Sequence, residues 1–186
     1  MSEKMKQTLQ EALQPGESVV WEGKTQPFRI FDGKEGRGVL LRWLITLGIT
    51  VWMAAAYATH NGKGTVFYAV LALILIIVIG TSVLSYRQTV GQYCLLTNRR
   101  ALIIRPNGNV FAMLRSDIGT AQLYPLDYGG AAIALGSALL PERDKQLRWR
   151  ANHPLESSDY TLHGMVFYHV ENADAAMHLL DAAKGV

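Results

Sequence analysis

Two apolar stretches decide the fold of this chain: VLLRWLITLGITVWMAAAYAT at residues 39–59 and TVFYAVLALILIIVIGTSVL at residues 65–84. Arg42 is the one charged residue that they contain. A helix rises about 1.5 Å per residue, so each stretch is long enough to cross a hydrocarbon core about 30 Å thick. Because only residues 60–64 separate them, the sequence predicts an antiparallel transmembrane helical hairpin.

The alternative for each stretch is a buried core helix of a soluble α-helical protein. Such helices rarely stay apolar on every face for five turns, which argues against this alternative most strongly for the second stretch. In the first, Arg42 and Trp43 lie near the start, where an arginine can extend to the headgroups and a tryptophan suits the interface. We therefore predict that Arg42, Trp43 and Arg87 lie at the membrane interface.

The charges beside the two stretches predict the orientation of the hairpin. In the connecting segment, Lys63 is the only lysine or arginine, and His60 is the only histidine. The flanks hold Lys24, Arg29, Lys34, Arg37, Arg42, Arg87, Arg99 and Arg100. Positive charge stays on the cytoplasmic side during insertion, so we expect a two-pass protein of a bacterial inner (plasma) membrane with both termini cytoplasmic. The single Cys94 agrees, because a disulfide within one chain needs two cysteines.

These spans divide the chain into a cytosolic N-terminal segment at residues 1–38, the transmembrane hairpin at residues 39–85 and a cytosolic domain at residues 86–186. In the first segment, Met5, Leu9, Ala12 and Leu13 recur at helical spacing. Ser18–Gly23 is typical of a short strand. The glycines at 33, 36 and 38 indicate a flexible, basic approach to the bilayer.

The third segment has the pattern of several short strands followed by one helix. Asn107-Gly108 is a strong hairpin signal. The predicted strands are Gln92–Leu96, Ala101–Ile104, Val110–Leu114, Thr120–Tyr124, Ala131–Leu135, Gln146–Trp149 and Met165–Val170. Ala173–Ala183 follows as an alanine-rich helix, with one face suited to burial. Six or seven antiparallel strands closed by a C-terminal helix describe a small barrel or sandwich.

Four segments carry motifs that point to one family. Residues 93–102 read YCLLTNRRAL, residues 114–118 read LRSDI, and residues 13–23 read LQPGESVVWEG. With the final strand and helix at Gly164–Ala183, they resemble the Y-x-L-T-x-R-R-L, l-x-D-I and PGE-x-x-x-W-x-G patterns of bacterial pleckstrin-homology-like (PH-like) membrane proteins. The resemblance covers most of the chain.

The resemblance implies an α+β membrane protein: a two-helix transmembrane hairpin plus a small antiparallel β PH-like barrel or sandwich with a C-terminal helix. Seven strands in two nearly orthogonal sheets are expected. It implies no shared reaction. The segment Gly136–His163 departs from the family by being longer and more polar, and both an extended hairpin around Lys145–Arg150 and a loop stay open.

Residues that could carry enzymatic chemistry are scattered. His163 and His169 would lie about 20 Å apart on one strand, too far for a single metal ion. His169-Val170-Glu171 lacks the P-C-x-x-C partner of zinc deaminases. Cys94 is best explained as a packed thiol, and the glycine-rich stretch Gly129–Gly136 lacks the lysine of a P-loop. The sequence therefore predicts a non-enzymatic protein with no catalytic residues, metal or cofactor.

Basic clusters are the functional signal outside the membrane. The candidate lipid- or partner-binding residues are Arg99, Arg100, Lys145, Arg148 and Arg150. On a strand, Arg148 and Arg150 would share one face and Trp149 would take the other. The alternative is a solvated strand face. A net charge of +3 is explained by basic residues near anionic lipid, so no nucleic-acid partner is predicted.

Three functions follow from these features. The first is a membrane-anchored scaffold whose PH-like domain binds a protein partner or forms homo-oligomers, for which an exposed sheet edge is suited. The second is a module that senses anionic lipid headgroups through its basic face. The third is an enzyme or transport accessory acting on lipid. Transport by this chain alone is disfavoured, because no ionisable residue lies at mid-membrane.

Overall fold

A computed structural model of the chain describes residues 3–60, 62, 64–138, 147–156 and 162–182. It contains two compact units: Met1–Phe28 with Gln88–Val186, here called the β unit, and Arg29–Arg87, here called the hairpin. In chain order the elements are α1 (Glu3–Ala12), β1 (Val19–Lys24), α2 (Gly33–Thr59), α3 (Thr65–Val90), β2 (Tyr93–Thr97), β3 (Arg100–Ile104), β4 (Val110–Leu114), a 3₁₀ turn (Arg115–Asp117), β5 (Ala121–Pro125), β6 (Ala131–Gly136), α4 (Leu147–Asn152), β7 (Leu155–Glu156), β8 (Leu162–Val170) and α5 (Ala173–Ala182).

The hairpin consists of α2 and most of α3, and both helices are long and apolar enough to span a membrane. Their apolar side chains face outwards: none of the most apolar window of α2 is buried, and only 11% of that of α3. Trp52, for example, is 71% exposed. A core helix of a soluble protein would instead bury these side chains.

The prediction of a flexible glycine-rich approach is wrong, because α2 already begins at Gly33. The backbone N–H of Arg29 donates to the Asp32 carboxylate at 2.7 Å, and the N–H of Gly36 donates to the Asp32 carbonyl at 3.2 Å. A Cβ on Gly36 would lie 2.2 Å from the carbonyl carbon of Phe31. Glycine at this position therefore permits a close turn into the helix.

The first sheet joins chain segments from both sides of the hairpin. Its strand order is β1-β2-β3-β4, and β1 pairs antiparallel with β2. Lys24 lies opposite Tyr93, and the N–H of Thr25 donates to the Gln92 carbonyl at 3.2 Å. The hairpin is thus an insertion into the β1–β2 connection, and residues before it complete a sheet formed mainly by residues after it.

The second sheet has the order β5-β6-β8-β7 and encloses the main core together with the first. The two sheets meet where Thr25 forms a bridge with Val170. Trp21 of β1 stacks on Phe167 of β8 with ring centroids 5.8 Å apart. Helix α5 packs against β1, β5 and β6 and buries Ala176 and Leu180, so its predicted apolar face is confirmed within the described residues.

Helix α1 covers the opposite face of the first sheet. Met5, Leu9 and Leu13 pack against a separate cluster formed by Leu95, Leu102 and Ile104. Neighbouring strand residues point to opposite faces, so β2 and β3 are buried on both sides. The apolar spacing of the N-terminal helix is therefore confirmed as a packing face.

Candidate membrane- and partner-binding surfaces

Arg100 lies in an internal ion pair. Its Nε donates to Glu17 Oε1 at 3.0 Å, and its Nη2 donates to the Ala12 carbonyl at 2.8 Å and to Glu17 Oε2. The Thr97 hydroxyl donates to Glu17 Oε1 at 2.6 Å. We call Glu17, Thr97 and Arg100 the clasp, because they join the end of α1 to the β2–β3 turn.

Burial and hydrogen bonding make the clasp a strongly coupled group. The side chains of Arg100 and Glu17 are 13% and 0% exposed. The hydrogen bond from Arg100 lowers the pKa of Glu17 to about 2, against a desolvation effect that raises it. The same bond raises the pKa of Arg100. The charge of Arg100 is therefore paired with that of Glu17. Arg99, at the same turn, is exposed.

The strand predicted at Gln146–Trp149 is wrong, because Leu147–Asn152 forms helix α4. The helix buries Leu147 and Ala151, which lie four residues apart on one helical face. Arg148 and Arg150 therefore do not share a strand face. Lys145 lies outside the described residues.

Arg148 packs against the segment that leads from the β unit to the hairpin. It is 6% exposed, and its guanidinium carbon lies 4.9 Å from the ring centroid of Phe28. Phe28 also meets Tyr168 and His169 edge-to-face at 5.4 and 5.9 Å. Arg148 is thus placed inside an aromatic cluster.

Asn152, at the other end of α4, bonds the segment that returns from the hairpin. Its Nδ2 donates to the Thr89 hydroxyl at 2.5 Å. Its Oδ1 accepts from Gln92 Nε2 at 3.2 Å, and Gln92 also donates to the Ala151 carbonyl at 3.1 Å. Helix α4 therefore contacts both chain segments that connect the β unit to the hairpin.

The remaining face of α4 carries Trp149 and the neighbouring His153, which are exposed, and Arg150, which is half-buried. Trp149 is 49% exposed. The imidazole of His153 stacks on it at 4.5 Å between centroids, and the guanidinium carbon of Arg150 lies 5.0 Å from its ring centroid. We call Trp149, Arg150 and His153 the α4 tip.

Arg42 and Trp43, predicted at the interface, form a polar contact between the two helices of the hairpin. Arg42 Nη2 donates to Ser82 Oγ at 2.8 Å, and Trp43 Nε1 donates to the same oxygen at 3.2 Å. Trp43 also meets Phe31 edge-to-face at 5.3 Å. Arg87 is exposed in the last turn of α3.

Strand β1 offers an apolar sheet edge. Its strand partner is β2, and near its C-terminal end the Lys24 carbonyl also accepts from the backbone N–H of Glu171 at 3.3 Å, so the open edge lies at the start of the strand. Val19 and Val20 are 36% and 43% exposed on it, whereas Trp21 and Gly23 face the core. An edge strand presents unpaired backbone donors and acceptors that a second chain can use.

Groups with reactive or ligating chemistry are separate from one another. Cys94 is fully buried, and this burial raises the pKa of its thiol well above the usual range. His163 and His169 lie on β8, and His169 Nδ1 is 3.1 Å from the Gln26 carbonyl oxygen. In the part of the chain that the structure describes, no three His, Cys, Asp or Glu side chains come together as a metal site.

Sequence reasoning missed two features of this region: the clasp and the role of α4. The clasp joins two of the segments that resemble the PH-like family. Glu17 lies in residues 13–23, and Thr97 and Arg100 lie in residues 93–102. The presence of both segments in one chain was the sequence signal from which their contact could have been predicted. Comparisons with protein-family models, curated proteins and solved structures give no match, so the PH-like resemblance stays a prediction.

Proposed function

We propose that this chain is a non-enzymatic protein of a bacterial inner membrane, anchored by the hairpin, whose β unit is a PH-like domain that acts as a protein-binding or self-associating scaffold on the cytoplasmic side. The observation that carries the proposal is the insertion of two outward-facing apolar helices between paired strands β1 and β2.

Strand pairing supports a two-pass topology with both termini on one side. Lys24 and Tyr93 are neighbours in one sheet, although α2 and α3 separate them in sequence. A chain that leaves and re-enters the same sheet must return to the side from which it left. An even number of crossings satisfies this condition, and positive charge favours the cytoplasmic side for the flanks.

Two further observations support the scaffold. Two four-stranded antiparallel sheets with a helix packed against both form the small β domain with a C-terminal helix that the proposal requires. Val19 and Val20 make the β1 edge apolar, and backbone pairing at such an edge is a recurring mode of protein recognition. Anchoring concentrates the domain at the membrane and so favours association with membrane partners.

Anchoring and topology are tested by carbonate extraction of membranes and by cysteine labelling in intact cells. Carbonate should leave the full chain in the membrane. His60→Cys, in the connection between α2 and α3, should react with an impermeant maleimide from outside, whereas Ser116→Cys should react only after permeabilisation. Cys94 is buried and gives little background. The reverse labelling pattern, or release by carbonate, would contradict the proposal.

Self-association is tested by changing the β1 edge in the full chain. Val20→Lys places a charge on this edge and should lower the oligomer fraction measured by cross-linking in membranes and by light scattering in nanodiscs. Asn109→Lys adds the same charge at the β3–β4 turn and serves as the control. A monomeric wild type without any cross-linked partner would overturn the scaffold.

Lipid sensing through the basic residues is the second candidate. Arg99 is exposed and Arg150 half-buried, whereas Arg100 and Arg148 are engaged with Glu17 and Phe28. Binding that depends on Arg99 and Arg150 and falls steeply with salt would favour this candidate.

A further inference from the structure

We infer that two copies of this chain associate by exchanging helix α1, so that α1 of each copy packs on the first sheet of the other. The inference rests on the proposed self-association and adds to the β1 edge a second contact between copies. The receiving surface is the outer face of the first sheet, formed by Leu95, Leu102 and Ile104. The occupant is α1 of a second copy.

The outer face of the first sheet needs an apolar cover. Leu95, Leu102 and Ile104 are 0% exposed, and Met5 and Leu9 of α1 are among the side chains that pack against them. If α1 leaves, these side chains face water and lose the favourable free energy of apolar burial. Helix α1 is the segment whose fit to this face the structure shows, and a second copy carries the same segment.

Helix α1 is a packing layer of its own. Its apolar side chains belong to a cluster distinct from the main core. Lys6 bonds Glu3 at 2.9 Å and Gln7 bonds Glu11 at 3.0 Å, both within the helix. Departure of α1 therefore leaves the main core closed and keeps these pairs. Its 10 residues are fewer than the about 12–15 that an isolated helix needs in water, so α1 requires an apolar face to pack on.

The turn after α1 has the features of a hinge. It spans residues 14–17, and its last N–H donates to its first carbonyl at 2.9 Å. Pro15 and Gly16 take the central positions, and Gly16 has a φ of 75°, as in a type II turn. Beyond the turn, both backbone groups of Ser18 bond Asn98. Opening the turn therefore releases α1 without releasing β1, and a short hinge of this kind favours exchange.

Exchange restores the contacts that opening removes. The apolar side chains of α1 in one copy meet the outer face of the other copy, where Arg100 Nη2 donates to the incoming Ala12 carbonyl as it does within a single chain. Two copies that exchange reciprocally leave neither face uncovered, so the pair closes as a symmetric dimer. Confinement to one membrane raises the effective concentration of the copies and favours this dimer.

The test uses two differently tagged full-length copies expressed together. One carries Leu9→Cys in α1 and the other carries Ala112→Cys in β4, because both positions pack against the same apolar cluster. The reagent is a bismaleimide short enough to join these two cysteines within a single copy that carries both. In membranes we expect a covalent pair that contains both tags. Gln10→Cys is the matched control for Leu9→Cys, since Gln10 is exposed on α1 and should give little product.

Gly16→Ala tests the hinge. A Cβ at positive φ strains the closed turn but not an extended hinge, so the ratio of open to closed hinges should rise about five- to thirtyfold, and the interchain product should rise with it. Gly108→Ala is the matched control, because Gly108 has a φ of 91° in the β3–β4 turn and a Cβ there meets no atom within 4 Å. Equal interchain product from the two variants would contradict exchange.

The outcomes separate this inference from the proposed scaffold. If wild-type copies cross-link to each other and this depends on Val20, but Leu9→Cys gives no more interchain product than Gln10→Cys, α1 stays on its own sheet. The inference is then wrong and the scaffold stands. A wild type that is monomeric in nanodiscs and in membranes overturns both.

Discussion

The β unit buries its large apolar side chains, whereas the hairpin exposes side chains of the same kind. In the β unit, Leu96, Ile103 and Phe167 are fully buried, and several arginines are tied to carboxylate, carbonyl or aromatic partners. In the hairpin, leucines, isoleucines and valines of the same kind face outwards. Between its helices, Arg42 and Trp43 both donate hydrogen bonds to Ser82.

This difference shows which environment, water or hydrocarbon, suits the surface of each unit. The β unit gains stability by removing apolar area from water, so its polar groups must find internal partners. The hairpin keeps its apolar area outside and satisfies its backbone within each helix, which is the arrangement that a hydrocarbon environment requires. If the comparison is right, removing the hairpin should leave the β unit folded, provided that β1 is retained.

The largest expected effect comes from removing β1, which the hairpin separates in sequence from the other strands of its sheet. A chain in which a Gly/Ser linker of about eight residues replaces residues 29–87 should be soluble and unfold cooperatively on heating. A fragment of residues 86–186 lacks β1 and Trp21. Loss of a buried tryptophan alone costs about 3–5 kcal/mol, a large part of the stability of a typical domain. Circular dichroism of the two proteins makes the comparison.

The rejoined chain is geometrically reasonable because Thr25 bonds Gln92 directly. Equal thermal stability of the rejoined chain and the fragment would mean that β1 is dispensable. That result would contradict the conclusion that the β unit needs chain segments from both sides of the hairpin in order to fold.

A smaller effect is expected from the clasp. Glu17→Gln removes the partner of a nearly buried Arg100 and should destabilise the β unit by about 2–3 kcal/mol. Glu22→Gln is the matched control, because it makes the same charge change on an exposed position of β1. Thermal unfolding of the full chain in detergent, followed by circular dichroism, measures both.

The pKa of Glu17 sets the pH at which the clasp acts. Its pKa is about 2 in the folded protein, against 4.5 for an ordinary glutamate. A lowered folded-state pKa gives stability that is present above the ordinary value and is lost as the pH falls towards 2. The stability difference between wild type and Glu17→Gln should therefore shrink as the pH falls from about 4.5 to 2. A constant difference would mean that the charge of Glu17 is unimportant.

The smallest effect is expected within the hairpin. Ser82→Ala removes the oxygen that accepts from Arg42 and Trp43 and should weaken the helix pair by about 0.6–1.7 kcal/mol. Thr81→Ala is the control, because the Thr81 hydroxyl donates only to carbonyls of its own helix. Near-ultraviolet circular dichroism during thermal unfolding in detergent, to which Trp43 contributes, should respond to the first change and not to the second.

The sequence predicted the elements whose signal is local. Uninterrupted apolar stretches predicted both long helices, and apolar periodicity predicted the apolar face of α1 at Met5 and Leu9 and the buried face of α5. The Asn107-Gly108 turn located β3 and β4, whose ends lie on either side of it. These patterns depend on neighbours a few residues apart, so no tertiary contact is needed to read them.

The misses depend on distant partners. The sequence predicted a strand at Gln146–Trp149, but residues 147–152 form the helix α4, whose Arg148 and Asn152 contact the distant residues Phe28 and Thr89. Arg100 was predicted to bind lipid or a partner, and its actual partner, Glu17, lies on the other side of the hairpin in sequence. Tertiary context decides such short or polar segments.

The interruption of the β1–β2 pair has a consequence for biosynthesis. Trp21 and the apolar edge of β1 leave the ribosome before either long helix, and their partner Leu96 follows only after both. The domain therefore cannot close its core until the second helix has brought the chain back. Under the proposed anchoring, a protein with only one helix inserted would keep the residues before and after the hairpin on opposite faces of the bilayer and would leave β1 unpaired. Under that proposal, pairing of β1 with β2 requires that both helices have crossed the membrane.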